Sequence, residues 1–187
     1  MKTKWKIDPG HSELFFKITH LMISEITGSL NSFSLDIETE GADFGNITEV
    51  MLLADANSIR TNNEARDGHL KSAEFFDVAN HQEIKFEGSK FEKQGISPQT
   101  LLSVYRKDYK LYGNLTIKGI TRAVVLDGEF GGTALDTNGQ KKAGFTIRGK
   151  LSRKEFGLTW QGATEAGKII LGDAVHIFGN IQLIKQD

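Results

Sequence analysis

Apolar and polar residues alternate along most of this chain, the period-two mark of strands that bury one face. In Leu14-Phe15-Phe16-Lys17-Ile18 the residues Leu14, Phe16 and Ile18 share a face, and from Val50 to Ala56 the even-numbered residues do the same. Both sets read as inward-facing. The pattern predicts further strands at 84–86, 111–117, 124–130, 145–151 and 175–183, with a longer one over 26–37, about eight in all. The first residues, Met1 to Asp8, also lead into what reads as a strand.

Helical periodicity is scarce. Glu64 to Leu70 is the strongest candidate, with a shorter helix around 73–76; Asn62 and Asn63 supply capping side chains and Gly68 limits the length. These pieces read as a partial lid. Between Leu158 and Asp173 the alternation is lost, which predicts a long loop at one end of the molecule.

Gly131-Gly132 and Asp136-Thr137-Asn138-Gly139 read as turns, so sequential antiparallel pairing is expected. Long strands with one buried face leave two open edges unless the sheet closes, and closure at about eight strands leaves room for one small ligand. The expected fold is all-β: a single domain over residues 1–187, built as one extended antiparallel β-barrel with one or two short helices at its rim.

Five glycines fall in the inward register: Gly28, Gly113, Gly128, Gly149 and Gly179. Glycine weakens a strand, so a shared cause is needed. One reading is geometric, a residue without a side chain where a coiled strand must bend. The other is functional: each missing side chain leaves lumen volume for a chain-like apolar ligand.

At 187 residues, with 39% hydrophobic and 25% charged, the chain suits one core. Its 23 basic and 24 acidic side chains leave a net charge of -1, with no basic excess to release counterions from a nucleic acid. No cysteine is present, so neither a disulfide nor a thiolate site is available. No run approaches the roughly 20 apolar residues of a transmembrane span. The start lacks the apolar core of a signal peptide, which reads as cytoplasmic; a chain already cleaved of its leader would look the same apart from an added Met.

His11, His20, His69, His81 and His176 have no metal-site spacing, and no metal is expected. His81 and His176 read as surface residues. Arg66-Asp67-Gly68-His69 places an acid beside a helical imidazole, a pairing suited to proton transfer. No Gly-x-Ser-x-Gly elbow supplies a nucleophile, and neither Ser58 nor Ser72 lies in an activating motif. The favoured reading is a polar clasp of Arg66, Asp67 and His69 that fixes the helix to the barrel rim, drawing on Asp8, His11 or Ser12. Phe75-Phe76 reads as a plug or a gate, and Trp160 as a ring folded over an apolar opening.

The run Ser58-Ile59-Arg60-Thr61, then Arg66-Asp67-Gly68-His69-Leu70, then Glu74-Phe75-Phe76-Asp77 resembles the signature of the YceI-like family. Further agreement lies in Trp5 to Ser12, Gly113 to Thr121 and Arg153 to Gly157, so the resemblance spans almost the whole chain; Asn80-His81-Gln82 departs from a usual Tyr-Pro. The resemblance implies a lipocalin-like barrel that holds a long isoprenoid or similar amphiphile, with no cofactor and no catalytic step. It also admits a homodimer and a periplasmic location.

The function expected is therefore non-enzymatic binding, storage or transport of a polyisoprenoid, quinone or fatty-acid-like lipid. The expected lumen residues are Phe16, Ile18, Leu30, Leu35, Leu52, Phe86, Leu115, Ile117, Leu126, Phe130, Phe145 and Ile177, with charged groups absent among them. Arg66, Asp67, His69, Phe75, Phe76 and Trp160 would form the rim and gate. Two alternatives stay open: an enzyme acting on a lipid-like substrate through His69 and Asp67, and a structural barrel filled by its own side chains.

Overall fold

Where the alternation is regular the backbone is extended, in a computed structural model that describes residues 1–41, 44–96, 107–162 and 170–186. The strands are β1 (Lys2–Ile7), β2 (Glu13–His20), β3 (Ser24–Leu30), β4 (Phe33–Glu40), β5 (Ile47–Asp55), β6 (Ile59–Arg60), β7 (Glu83–Ile96), β8 (Lys107–Ile117), β9 (Ile120–Leu135), β10 (Lys141–Ser152) and β11 (Leu171–Lys185). The single α-helix described, α1, spans Glu64–Lys71. It is not long and apolar enough to cross a membrane.

All pairings are antiparallel. Strands β1, β4, β5, β7, β8, β9, β10 and β11 follow one another round a ring that β1 and β11 close, through Trp5 opposite Lys185 and Ile7 opposite Leu183. Closure removes the exposed edges of this ring. The remaining strands, β2, β3 and β6, extend from β11, whose residues 171–180 pair with β2 while 183–185 pair with β1.

One strand therefore serves two partners along the same side, and the jog between them is built from Asp8 to Ser12. Asp8 N–H donates to Gln182 O at 2.7 Å, and Ser12 Oγ exchanges hydrogen bonds with the Gln182 backbone. The Asp8 carboxylate accepts from Gly10 N–H, starting a short 3₁₀ turn at Pro9–His11, and from Lys142 Nζ at 2.8 Å. Lys142 holds the Asp8 carboxyl below the usual carboxylate range, with burial opposing and His11 adding to the shift.

Four expectations change. The strand predicted over 26–37 is two, because the chain switches partner at Asn31-Ser32: β3 pairs with β2 and β6, β4 with β1 and β5. Gly131-Gly132 lies inside β9 as a bulge, with Gly132 at φ 111° and the register slipping opposite Gly144 and Phe145. Residues 73–76 form turns rather than a second helix. Gly68 sits within α1 without ending it; the helix is capped by Asn63, whose side chain accepts from Arg66 N–H, and stops at Ser72.

One end of the barrel is floored by aromatic rings. Phe44, in the β4–β5 connection, lies 4.6 Å from Trp5, 4.8 Å from Phe145 and 5.3 Å from Phe130, centroid to centroid. Trp5 Nε1–H donates to Thr39 Oγ1, which in turn donates to Gly41 O, and Tyr109 Oη donates to Phe44 O. Trp5, Phe44 and Thr39 are essentially inaccessible to solvent. Helix α1, the turns after it and residues 153–162 gather at the opposite end.

Candidate ligand-binding cavity and its mouth

Above the aromatic floor the barrel is not filled. An interior cavity of about 370 Å³ runs up to the end carrying α1, within the size range of small-molecule sites. Its wall takes Leu35 from β4, Leu52 from β5, Phe86 from β7, Leu115 and Ile117 from β8, and Leu126 from β9. Phe145 from β10, Ile177 from β11, Phe16 and Ile18 from β2, and Leu30 from β3 complete the circuit. Phe130 does not line it. That ring is packed 4.9 Å from Phe145 and against Phe44, inside the floor.

The inward glycines divide into two groups. A Cβ at Gly28 would stand 2.2 Å from the Phe16 ring, one at Gly113 would meet Phe86 and Glu87 O at 2.5 Å, and one at Gly149 would meet Leu126 at 2.5 Å. At these three positions the space is occupied by a neighbouring side chain, so the missing Cβ accommodates packing and adds no lumen. Gly128 and Gly179 differ: a Cβ there would make ordinary contacts no closer than 3.4 Å, and both glycines face the cavity.

At the mouth, the helix is tied down through Thr61. Asp67 is buried, and its Oδ1 accepts from Thr61 N–H at 2.8 Å and from Thr61 Oγ1 at 2.5 Å. Arg66 Nε–H donates to Thr61 Oγ1 and its Nη2 to Thr61 O, both at 2.7 Å. The clasp thus joins Arg66 and Asp67 to Thr61 and β6. Asp8, His11 and Ser12, expected as its partners, sit at the β1–β2 jog instead, and His69 takes no part in it.

His69 points into a different cluster. Its Nε2 lies 2.5 Å from Glu74 Oε2, and its ring meets Phe75 and Trp160 edge-on at 5.0 and 4.9 Å. Phe75 and Trp160 are themselves 5.4 Å apart, and all three rings border the cavity with Phe76. Phe75 is 5% exposed, so this stack closes most of one side of the opening.

Trp160 is positioned by a residue the sequence offered only as part of a motif. Arg153 is 3% exposed, and its guanidinium donates to the carbonyls of Leu158, Trp160 and Gly172 and, at 3.3 Å, Leu171. Burial pulls its pKa down, with the charge of Asp173 opposing. Arginine keeps its proton here. Charged groups were expected to be absent from the lumen; in the structure the cations Arg66 and Arg153 reach the cavity surface, as do the imidazoles of His20 and His69, while most of the lining is apolar.

Asp67 is engaged by Thr61, so the Asp67–His69 pair read from the sequence does not form; the acid beside the His69 imidazole is Glu74. Ser58 Oγ donates to Asp55 O and Ser72 Oγ to His69 O, which leaves neither hydroxyl directed at an imidazole nitrogen. Among the described residues no group of three or more His, Asp or Glu side chains is placed to hold a metal ion. His176 is exposed, whereas His81 is half-buried against Gly119.

The profile of the YceI-like domain matches residues 5–183. This chain belongs to the YceI-like family. A UPF0312 protein of Staphylococcus aureus strain N315 is 33% identical over 174 residues, 92% of each chain. The crystal structure of the Campylobacter jejuni YceI protein is similar with a TM-score of 0.71, at 27% identity over 91% of each chain. A polyisoprenoid binding domain from Saccharophagus degradans shares the fold at a TM-score of 0.66 and 14% identity, over 97% of this chain and 98% of that one.

In this YceI-like barrel the signature residues are structural joints around the cavity. Thr61, Arg66 and Asp67 form the clasp, His69 and Phe75 the stack, Trp5 the floor, and Arg153 the brace that holds Leu158 and Trp160 to Leu171 and Gly172. Thr61 and Phe44 were missed. Thr61 stood within the signature, which was the available signal; Phe44 lies in an irregular segment whose burial no local pattern announces.

Proposed function

We propose that this chain binds a long apolar amphiphile in the barrel, without a catalytic step, and so stores or carries it. The observation that carries the reading is the apolar cavity of about 370 Å³, sealed below by the Trp5–Phe44 cluster and bordered above by polar groups. An apolar tail that buries several hundred Å² gains on the order of 10 kcal/mol before association costs, enough for tight binding. The tail would lie along Leu52, Phe86, Leu115 and Ile177, with its head near Arg66 and the His69 stack. The polyisoprenoid or quinone-tail class is favoured by family membership and by the binding named for the S. degradans domain of the same fold. A fatty-acid-like lipid fits the same physical requirements.

The test is organic extraction of purified protein followed by mass spectrometry, with added isoprenoids titrated against stripped protein. A stoichiometric apolar molecule, displaced by Leu115→Trp within the cavity wall, is expected. Absence of any such molecule from repeated preparations, together with no binding of added isoprenoid, would end the carrier reading.

A further inference from the structure

A water-insoluble cargo has to be exchanged somewhere, and beside the mouth two exposed apolar side chains stand at the end of a hairpin. The β2–β3 hairpin turns at Leu21-Met22-Ile23, where Met22 is 67% and Ile23 84% exposed, two of the most exposed large apolar side chains among the described residues. Leu21 and Met22 also have positive φ, 52° and 60°, with Ile23 N–H bonded to His20 O. A turn with two positive φ values selects Asn-Gly, and a Leu-Met pair there carries a conformational penalty, with Leu21 half-buried and Met22 exposed.

Strain and apolar exposure thus coincide at a protruding tip. The tip is continuous with the opening: Leu21 N–H donates to Ile170 O at 2.7 Å, and His20, Ile170 and Leu171 line the cavity. Its apolar area is on the order of 300 Å², about half of the roughly 600 Å² that each partner contributes to even a small stable protein interface. A bilayer accepts isolated apolar side chains without shape complementarity. Charge does not contribute, because Lys17 and Glu25 at the base of the tip pair with each other at 3.9 Å.

We propose that the β2–β3 tip is a membrane-docking element, which inserts Met22 and Ile23 into the surface of a lipid bilayer and so brings the cavity mouth against the acyl chains. This rests on the cargo being a lipid. The attraction is apolar, so it holds for an uncharged membrane and resists salt.

The experiment is flotation of the full chain with neutral phosphatidylcholine vesicles at low and high salt, beside M22S/I23S and L21N/M22G. Wild type is expected to float, with less than about a twofold change with salt. M22S/I23S should lose about tenfold or more of the bound fraction. L21N/M22G should melt at a higher temperature yet float less, a combination that destabilised protein does not produce. Failure of wild type to float, equal flotation of all three, or loss at high salt would each overturn the proposal. Lipid extracted from the same preparations separates the two readings: cargo retained without flotation defeats docking alone, and absence of cargo defeats the carrier reading.

Discussion

Phe16 stands opposite Gly28 on the neighbouring strand, and its ring fills the volume a Cβ there would need. Phe86 does the same at Gly113, Leu126 at Gly149. Such pairs protect a glycine-weakened sheet by covering it with a neighbour's side chain. Gly113→Ala should therefore cost about 2 kcal/mol in urea denaturation, since the Glu87 carbonyl cannot retreat as a ring can. Gly179→Leu should leave the unfolding midpoint nearly unchanged and lower the lipid recovered per barrel, because a Cβ there makes only ordinary contacts and Gly179 lines the cavity that the added side chain would enter. The register of the five glycines was legible in the sequence. Which of them open on the cavity was not, because that depends on where rings of partner strands lie.

At the scale of elements, Arg153 ties together two pieces of chain, residues 158–160 and Leu171-Gly172. One guanidinium donates to four carbonyls, those of Leu158, Trp160, Leu171 and Gly172, which fixes these stretches to one point. Arg153→Met leaves these acceptors unpaired and should cost about 3 kcal/mol, read by denaturation. The Trp160 emission should shift toward that of solvated indole in the folded variant. Alternation located the body of nearly every long strand, because period two is a local property. It did not separate β3 from β4 or reveal β6, whose assignment depends on partners distant in sequence. Residues 163–169, part of the predicted loop, lie outside the described residues. The helix was legible from Asn63 and the periodicity of 64–70; its anchor was not, since Thr61 reads locally as a strand residue.

On the scale of the molecule, the barrel depends on joints between its two chain ends. Lys142 on β10 and Asp8 at the β1–β2 jog form one of these, at 2.8 Å. The Asp8 carboxyl lies below its ordinary value, so its stabilisation is complete above about pH 4, the unfolded pKa, and is lost as pH falls through the folded one. Lys142 is raised, chiefly by the Asp8 hydrogen bond, so its share is complete below about pH 10 and is lost as pH rises through the folded value. Asp8→Asn should flatten the fall in melting temperature between about pH 5 and about pH 3, measured by thermal melts.

β11 has a further consequence, in time. It pairs with β1, β2 and β10, so β1 and β2, which find β4 and β3 early, wait for residues 171–185 before each has its second partner. At about 5–20 residues per second that delay is on the order of ten seconds, during which the nascent sheet has open edges and its apolar wall faces water. Contacts of such long sequence separation also slow the final step. The chamber comes into being only when β11 docks, and a chain cut before Leu171 is an open, sticky sheet instead of a smaller barrel.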